Sequence, residues 1–340
     1  TFARFINRLQ EMQQLDRIVV DECHTILDSS PQFRPKLTQL RELSLVGVQM
    51  VYLTATLPPR DEEEFFQLMY IPREHVKLFR SRTTRANIQY QVQEVELAPT
   101  AAKRGRGGNG SGRGGGSGRG NDASDKGPGG FEAAIQEAVS QVVQQKLKQY
   151  PAPGKIIIYS SVIQGAEGVA EALQCPLYHR NVDSAEGKAR RLDHWRRAID
   201  DGGLSQGRVV VATNALGLGV DIPDIRVVIH VGKIHTLRDY AQESGRAGRD
   251  GQKSEAIIMQ GVGAGGEDYR RQQDNPVAVA VAVAVDMPEF VRGDVCRRVV
   301  LDQVMDAPRP RIACEDGEEA CDVCMRESAV GQSQSQSHIE

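Results

Sequence analysis

Arg17-Ile18-Val19-Val20-Asp21-Glu22-Cys23-His24 is a short apolar run that stops at two adjacent carboxylates. Four consecutive apolar or long-stemmed residues bounded by polar ones suit a buried parallel strand. The C-terminal end of such a strand is where doubly wound folds bind ligands. A Mg2+ ion held against phosphates needs a carboxylate, and an attacking water needs an orienting base. Asp21 suits the first task and Glu22 the second. Taken alone, an Asp-Glu pair after a strand is more often a solvated turn, so the reading depends on what surrounds it.

A second apolar run, Val48-Gln49-Met50-Val51-Tyr52-Leu53, ends in Thr54-Ala55-Thr56. The hydroxyls of Thr54 and Thr56 could bond across to His24 or to the other half of a motor. Between the two runs, Leu37, Leu40 and Leu43 recur at helical spacing within Pro35 to Leu45. Residues 1–97 therefore predict alternating helix and strand.

Residues 98–130 collapse into Gly, Arg, Ser and Asn, a composition with almost nothing to pack, and are predicted to be disordered. Their arginines resemble the RGG tracts that hold nucleic acid loosely; a plain flexible spacer is the other reading. Alternation resumes over residues 131–262. Helices are expected at Phe131 to Tyr150, Gly165 to Leu173 and Ala185 to Ile199, and strands at Lys155 to Tyr159, Arg208 to Ala212 and Arg226 to His230. The βαβαβ order predicts a parallel sheet covered on both faces. Residues 263–285 form a low-complexity connector, 286–325 a cysteine-bearing module, and 326–340 a polar tail.

Composition excludes several classes. The 340 residues are 40% hydrophobic and 26% charged, with a mean hydropathy of -0.40. The longest apolar run, Val277 to Val285, is too short to span a bilayer, and no signal-peptide pattern opens the chain. No membrane association is expected. The net charge of -3 shows no global basic footprint, although a motor can carry its track as a local stripe. The start at Thr1, a few residues before an apolar strand, reads as a cut through a domain.

Gln242-Glu243-Ser244-Gly245-Arg246-Ala247-Gly248-Arg249-Asp250-Gly251 sets two arginines three apart, expected on one side of a helical turn. Guanidinium groups so placed can meet a γ-phosphate as charge builds in a transition state. The alternative is a basic loop paired with Asp239 and Asp250. Upstream, Ala212-Thr213-Asn214-Ala215-Leu216-Gly217-Leu218-Gly219-Val220-Asp221 closes a strand with two glycines and an acid. Gly219 lets backbone approach a phosphate, and Asp221 can hold a ribose hydroxyl or pair with an arginine.

Of the six cysteines, Cys296, Cys314, Cys321 and Cys324 cluster near the end with spacing C-x17-C-x6-C-x2-C. That is not a spread disulfide framework; four thiolates can close a tetrahedral structural Zn2+ site in a reducing compartment. Free thiols are the alternative. Cys23 and Cys175 lack such partners and are expected in cores.

Together these pieces resemble the RecQ family of DExH-box helicases in superfamily 2, over most of residues 16 to 325. DECH resembles motif II, LTAT motif III, KIIIYSS motif IV, ATNALGLGVDIP motif V and QESGRAGRDG motif VI. Arg85-Ala86-Asn87-Ile88-Gln89-Tyr90 is similar to the family segment before the inter-lobe linker. The resemblance implies an α/β fold of two RecA-like parallel-sheet lobes, the first incomplete, plus a small C-terminal zinc-binding module. It implies ATP and Mg2+ as cofactors, with Asp21, Glu22, Gly219, Asp221, Gln242, Arg246 and Arg249 at the nucleotide. Asp21 would hold Mg2+, Glu22 activate water, His24 couple hydrolysis to DNA, and Arg246 and Arg249 sense the γ-phosphate. Phe33, Arg34, Thr54, Thr56, Thr213 and Asn214 would face nucleic acid, and the four clustered cysteines would hold zinc.

Two departures stand out. Ser29 occupies a position where the family has Trp in its DNA-sensing loop, leaving Phe33 as the aromatic there; a lost stacking platform is worth roughly 1–3 kcal/mol. The x6 gap between Cys314 and Cys321 replaces the family's x2, a length that a loop can absorb. No G-x-x-x-x-G-K-[ST] phosphate loop occurs in the 340 residues; the family places it upstream of the DExH strand, so this chain alone is not expected to hydrolyse ATP. The expected function is an ATP-dependent 3'→5' DNA helicase acting on single-stranded/duplex junctions in repair, recombination or telomere maintenance, in the nucleus. The alternative is a catalytically inactive remnant that binds DNA or a partner.

Overall fold

The computed structural model describes residues 2–27, 37–96, 130–197, 206–217, 221–262 and 286–336. Ser29, Phe33, Arg34, Gly219, nearly all of the Gly/Arg-rich stretch and the 263–285 connector lie outside the described residues. Along the chain run α1 (Phe2–Glu11), β1 (Arg17–Val20), β2 (Gln49–Tyr52), α2 (Glu62–Leu68), β3 (Ile88–Glu96), α3 (Gly130–Gln149), β4 (Lys155–Ser160) and α4 (Ile163–Leu173). They are followed by β5 (Leu177–Tyr178), α5 (Ala185–Arg197), β6 (Val209–Ala212), β7 (Ile225–Val231), α6 (Leu237–Ser244), β8 (Ser254–Val262), α7 (Asp286–Arg292), α8 (Arg297–Met305) and α9 (Asp322–Gln336). No helix among the described residues is long and apolar enough to cross a membrane.

The chain forms two compact units. One takes in residues 1–90, 235–246 and 282–340, the other 91–234 and 247–281. In the first, β1 and β2 pair in parallel with Arg17 opposite Gln49 and Val20 opposite Tyr52. Cys23, Ile26, Leu57, Phe65, Phe66 and Met69 bury one side of this pair, with Val20 and Tyr52 packed against them. The strands are less buried than their apolar pattern predicts: Val19 is 52% exposed. Side chains alternate faces along a strand, and this cluster covers only the face that carries Val20.

In the second unit the strand order is β3-β8-β7-β4-β6-β5. The β4–β7, β4–β6, β5–β6 and β7–β8 pairs are all parallel. Ile156, Ile158, Val209, Val211, Val227, Ile229, Ile257 and Met259 are the alternate residues of four strands. They pack against Ile135, Val139 and Val143 of α3, spaced four apart on one stripe, and Ala166, Val169 and Ala170 of α4. Every residue of β4 is buried, as a parallel sheet covered on both faces requires. β3 closes the helix–strand alternation expected over residues 1–97, whereas the short edge strand β5 and β8, which lies between β3 and β7, are not among the expected strands.

Back in the first unit, Thr236 caps α6 by accepting the Asp239 N–H at 3.0 Å while its hydroxyl donates to Asp239 Oδ2 at 2.7 Å. The helix ends at Ser244, with Gly245 as its C-cap. Arg246 and Arg249 therefore sit in the turns beyond it rather than on a continuing helix, and Gly248 supplies the positive φ of 58° that this path needs. Tyr240 of α6 packs on Phe290 of α7, ring centroids 4.9 Å apart.

Candidate functional site

Asp21 and Glu22 leave the C-terminal end of β1, and Leu53 and Thr54 leave the same end of β2. The ladder continues one step past both strands: Leu53 N–H donates to Val20 O at 2.9 Å and Cys23 N–H to Leu53 O at 3.0 Å. This holds the two polar turns side by side. Glu22 adopts a left-handed backbone (φ 50°, ψ 42°), costly for a residue with a Cβ. Its N–H is met by Asp21 Oδ1 at 2.8 Å, and its carbonyl accepts from Thr25 Oγ1 at 2.9 Å. Glu22 Oε2 lies 3.3 Å from His24 Nδ1, and the same nitrogen lies 2.8 Å from Thr54 Oγ1. Thr54 Oγ1 also accepts the Thr56 N–H at 3.1 Å. His24 and Thr56 are buried, while Asp21 is exposed. Sequence reasoning placed the Thr54 hydroxyl within reach of His24, and the structure joins them.

Burial pushes the Cys23 thiol up to about 12, with the neighbouring Glu22 and Asp21 charges adding to the effect. Cys23 is therefore a packing residue between the carboxylates and the apolar cluster. Cys175 is half-buried and its thiol is likewise pushed up to about 12 by desolvation.

In the second unit Arg249 Nη1 lies 2.8 Å from Asp221 Oδ1. The alternative partners for the arginine pair are engaged elsewhere. Asp250 receives both Arg226 guanidinium nitrogens, Nη1 to Oδ1 at 3.0 Å, and that hydrogen bonding holds its carboxyl below the usual range. Asp239 is committed to Thr236. Thr213 is buried at the end of β6, its N–H donating to Tyr178 O at 3.1 Å, and Asn214 follows it on the surface. Gln242 is half-buried on α6 and Arg246 is 3% exposed just beyond it.

Cys296, Cys314, Cys321 and Cys324 converge so that all four sulfurs lie within 4.8 Å of one another. Cys296 Sγ is 3.6 Å from Cys314 Sγ and 3.7 Å from Cys321 Sγ. These separations are far longer than a disulfide; four sulfurs about 2.3 Å from one metal stand roughly 3.8 Å apart. The set therefore fits a tetrahedral zinc. Hydrogen bonding among the sulfurs pushes the Cys296 thiol up and pulls the Cys321 thiol well down. Cys314 N–H and Cys321 N–H point at Cys324 Sγ and Cys314 Sγ, at 3.4 and 3.3 Å, the arrangement that favours thiolates. Arg297 and Asp322, each one residue past a cysteine, form a bidentate pair at 2.8 Å. That pair aligns the starts of α8 and α9.

One group of residues escaped the sequence reading. Glu315 and Glu318, inside the x6 gap, accept from Arg82 at 2.8 and 3.2 Å. The gap is not slack, and its acidic run Glu315-Asp316-Gly317-Glu318-Glu319 was the available signal.

The chain matches the DEAD/DEAH box helicase family over residues 1–65 and the helicase conserved C-terminal domain over residues 137–251. It is 26% identical to ATP-dependent DNA helicase Q1 of Pongo abelii across 96% of this chain and 44% of that protein. It is 25% identical to RecQ-like DNA helicase blm-1 of Caenorhabditis elegans across 92% of this chain and 28% of that protein. For ATP-dependent DNA helicase Q5 of Rattus norvegicus the identity is 27%, over 75% of this chain and 23% of that one. The chain thus spans less than half of each. Its fold is similar to that of S. cerevisiae Dbp5 bound to RNA and ADP BeF3, with a TM-score of 0.50 at 16% identity over 76% of this chain and 57% of that one. The chain thus carries the DEAD/DEAH box and conserved C-terminal domains of the superfamily 2 helicases, and over most of its own length it is similar to RecQ-type DNA helicases.

Proposed function

We propose that the chain is the hydrolytic and C-terminal portion of an ATP-dependent DNA helicase of RecQ type, moving 3'→5' on DNA. The observation that carries this reading is the hydrogen bond between His24 Nδ1 and Thr54 Oγ1. It ties the two loops that follow β1 and β2, so the carboxylate pair and the threonine loop move as one piece. Mg2+, when bound with ATP, neutralises phosphate charge. Asp21, the more exposed carboxylate, would hold it through its free oxygen. Glu22 would take the proton of the attacking water, with His24 at 3.3 Å to orient its carboxylate. Arg246 and Arg249 would meet the γ-phosphate, and Arg249 would exchange Asp221 for it.

Zinc, on this reading, is a structural ion in a closed four-thiolate site. DNA at single-stranded/duplex junctions is the substrate; a nuclear location and a role in repair, recombination or telomere maintenance follow from the RecQ resemblance.

The test joins the chain to the phosphate-binding half-lobe of a RecQ-type relative and supplies partial duplexes with 3' or 5' single-stranded overhangs. Unwinding that requires ATP and a 3' DNA overhang is expected. Unwinding confined to RNA duplexes, or preferring a 5' overhang, would overturn the assignment.

A further inference from the structure

The acidic loop between Cys314 and Cys321 holds the chain segment that leads into β3. Glu318 lies at its centre with a side chain only 5% exposed. It accepts from Arg311 and from Arg82 Nη1 at 3.2 Å, and Arg298 Nε stands 3.6 Å away. Glu315 Oε2 takes the other Arg82 nitrogen at 2.8 Å. Asp302 of α8 completes the group, accepting from Arg311 Nη1 at 2.8 Å and from Thr84 Oγ1 at 2.8 Å. Three guanidiniums thus face three carboxylates in a mostly buried site.

The same segment is gripped along its backbone. Thr83 N–H and Oγ1 both donate to Asp306, at 2.9 and 2.6 Å. Arg298 donates to Arg85 O at 2.9 Å, Ala86 O at 3.2 Å and Ile88 O at 2.7 Å. Glu319 N–H donates to Ala86 O at 2.7 Å. Its cage is built from α8, which starts one residue after Cys296, and from the loop whose two ends are Cys314 and Cys321.

We infer that this loop is a metal-linked brace: closing the four-cysteine site fixes Glu315, Glu318 and Glu319, and they in turn fix residues Arg82 to Ile88. Glu318 is a positioning residue that acts through Arg82 and Arg311, and touches neither metal nor substrate. The inference rests on the zinc reading of the cysteines. Freeing the sulfurs lets the loop ends part, and the guanidiniums lose their common carboxylate. A buried charge left without its partner is costly, so the segment loosens rather than re-pairing in place.

Hydrogen–deuterium exchange on the full chain tests this. A peptide covering residues 82–90 is followed with bound zinc, after chelation, and in Glu318→Gln. The Thr83 and Ile88 amides, which donate to Asp306 and to Arg85 O at 3.2 Å, report the grip. Chelation is expected to speed their exchange by about tenfold or more. Glu318→Gln is expected to do the same while keeping one zinc per chain. Should Glu318→Gln fail to fold, Arg82→Gln removes the partly exposed side of the contact and serves instead. Zinc lost to chelator with unchanged exchange at Thr83 and Ile88 overturns the coupling alone. A chain that purifies with no zinc sinks the metal reading, and with it the linkage.

Discussion

His24 Nδ1 and Thr54 Oγ1 stand 2.8 Å apart, joining the ends of two parallel strands that are 30 residues distant in sequence. His24 is buried, so the bond forms away from competing water. Removing one partner of such a bond costs about 1–3 kcal/mol. Thr54→Val keeps the shape and deletes the hydroxyl. In the chain joined to a phosphate-binding half-lobe, the ratio of ATP turnover with and without single-stranded DNA should fall more than the basal rate. An unchanged ratio would show that the bond does not transmit DNA binding.

Arg249 and Asp221 make an exposed pair, and such pairs contribute about 0–1 kcal/mol. Asp221→Ala should therefore leave thermal unfolding nearly where it was, while Arg249→Ala lowers turnover about a hundredfold or more, as loss of an arginine that meets developing phosphate charge does. Calorimetry and steady-state turnover on the two variants separate the roles. A large loss of stability in Asp221→Ala would mean the pair is structural.

Cys23 should resist thiol reagents in the folded chain. With its thiol pushed up to about 12 by burial, Cys23 stays protonated at pH 8, and only thiolates react. Mass spectrometry after brief alkylation should find Cys23 unmodified in the folded chain and modified in denaturant. Rapid labelling in the folded state would contradict the packing described around the carboxylate pair.

Glu318 gives the brace a pH dependence. Burial opposes its charge, but the Arg311 hydrogen bond, the Glu315 N–H and the Arg298 and Arg311 charges outweigh that, and its carboxyl is held below the usual glutamate range. A depressed folded value means the stabilisation is complete above the unfolded glutamate value and is lost as pH falls through the lower, folded one. Exchange at Thr83 and Ile88 should accordingly stay slow through neutral and mildly acidic pH, then rise once glutamates elsewhere are already protonated. Glu318→Gln should remove that acid-side step.

Much of this was legible in local sequence, for a physical reason. Ile18-Val19-Val20 and Ile156 to Ile158 are short apolar runs ending in polar residues, and parallel pairing within each sheet, β1 with β2 and β4 with β6 and β7, sets the polar strand ends of that sheet side by side. The cysteine cluster was legible because four sulfurs near one chain end have few other uses. What was not legible depends on distant partners. Nothing near Arg82 announces Glu315 and Glu318, more than 230 residues away. Likewise α6 lies between strands of the second sheet in sequence, yet its Tyr240 packs on Phe290. The expected helical turn across Arg246 and Arg249 overlooks Gly245 and Gly248, since glycine disfavours a helix interior and here marks the end of α6.

The central claim is that the carboxylates after β1 perform ATP hydrolysis coupled to DNA. Its most direct test is DNA-stimulated ATP turnover by the chain joined to a phosphate-binding half-lobe, compared with Glu22→Gln. General-base loss should cut turnover by about 100-fold or more while ATP and DNA still bind. Turnover that survives Glu22→Gln at the wild-type rate would contradict the account.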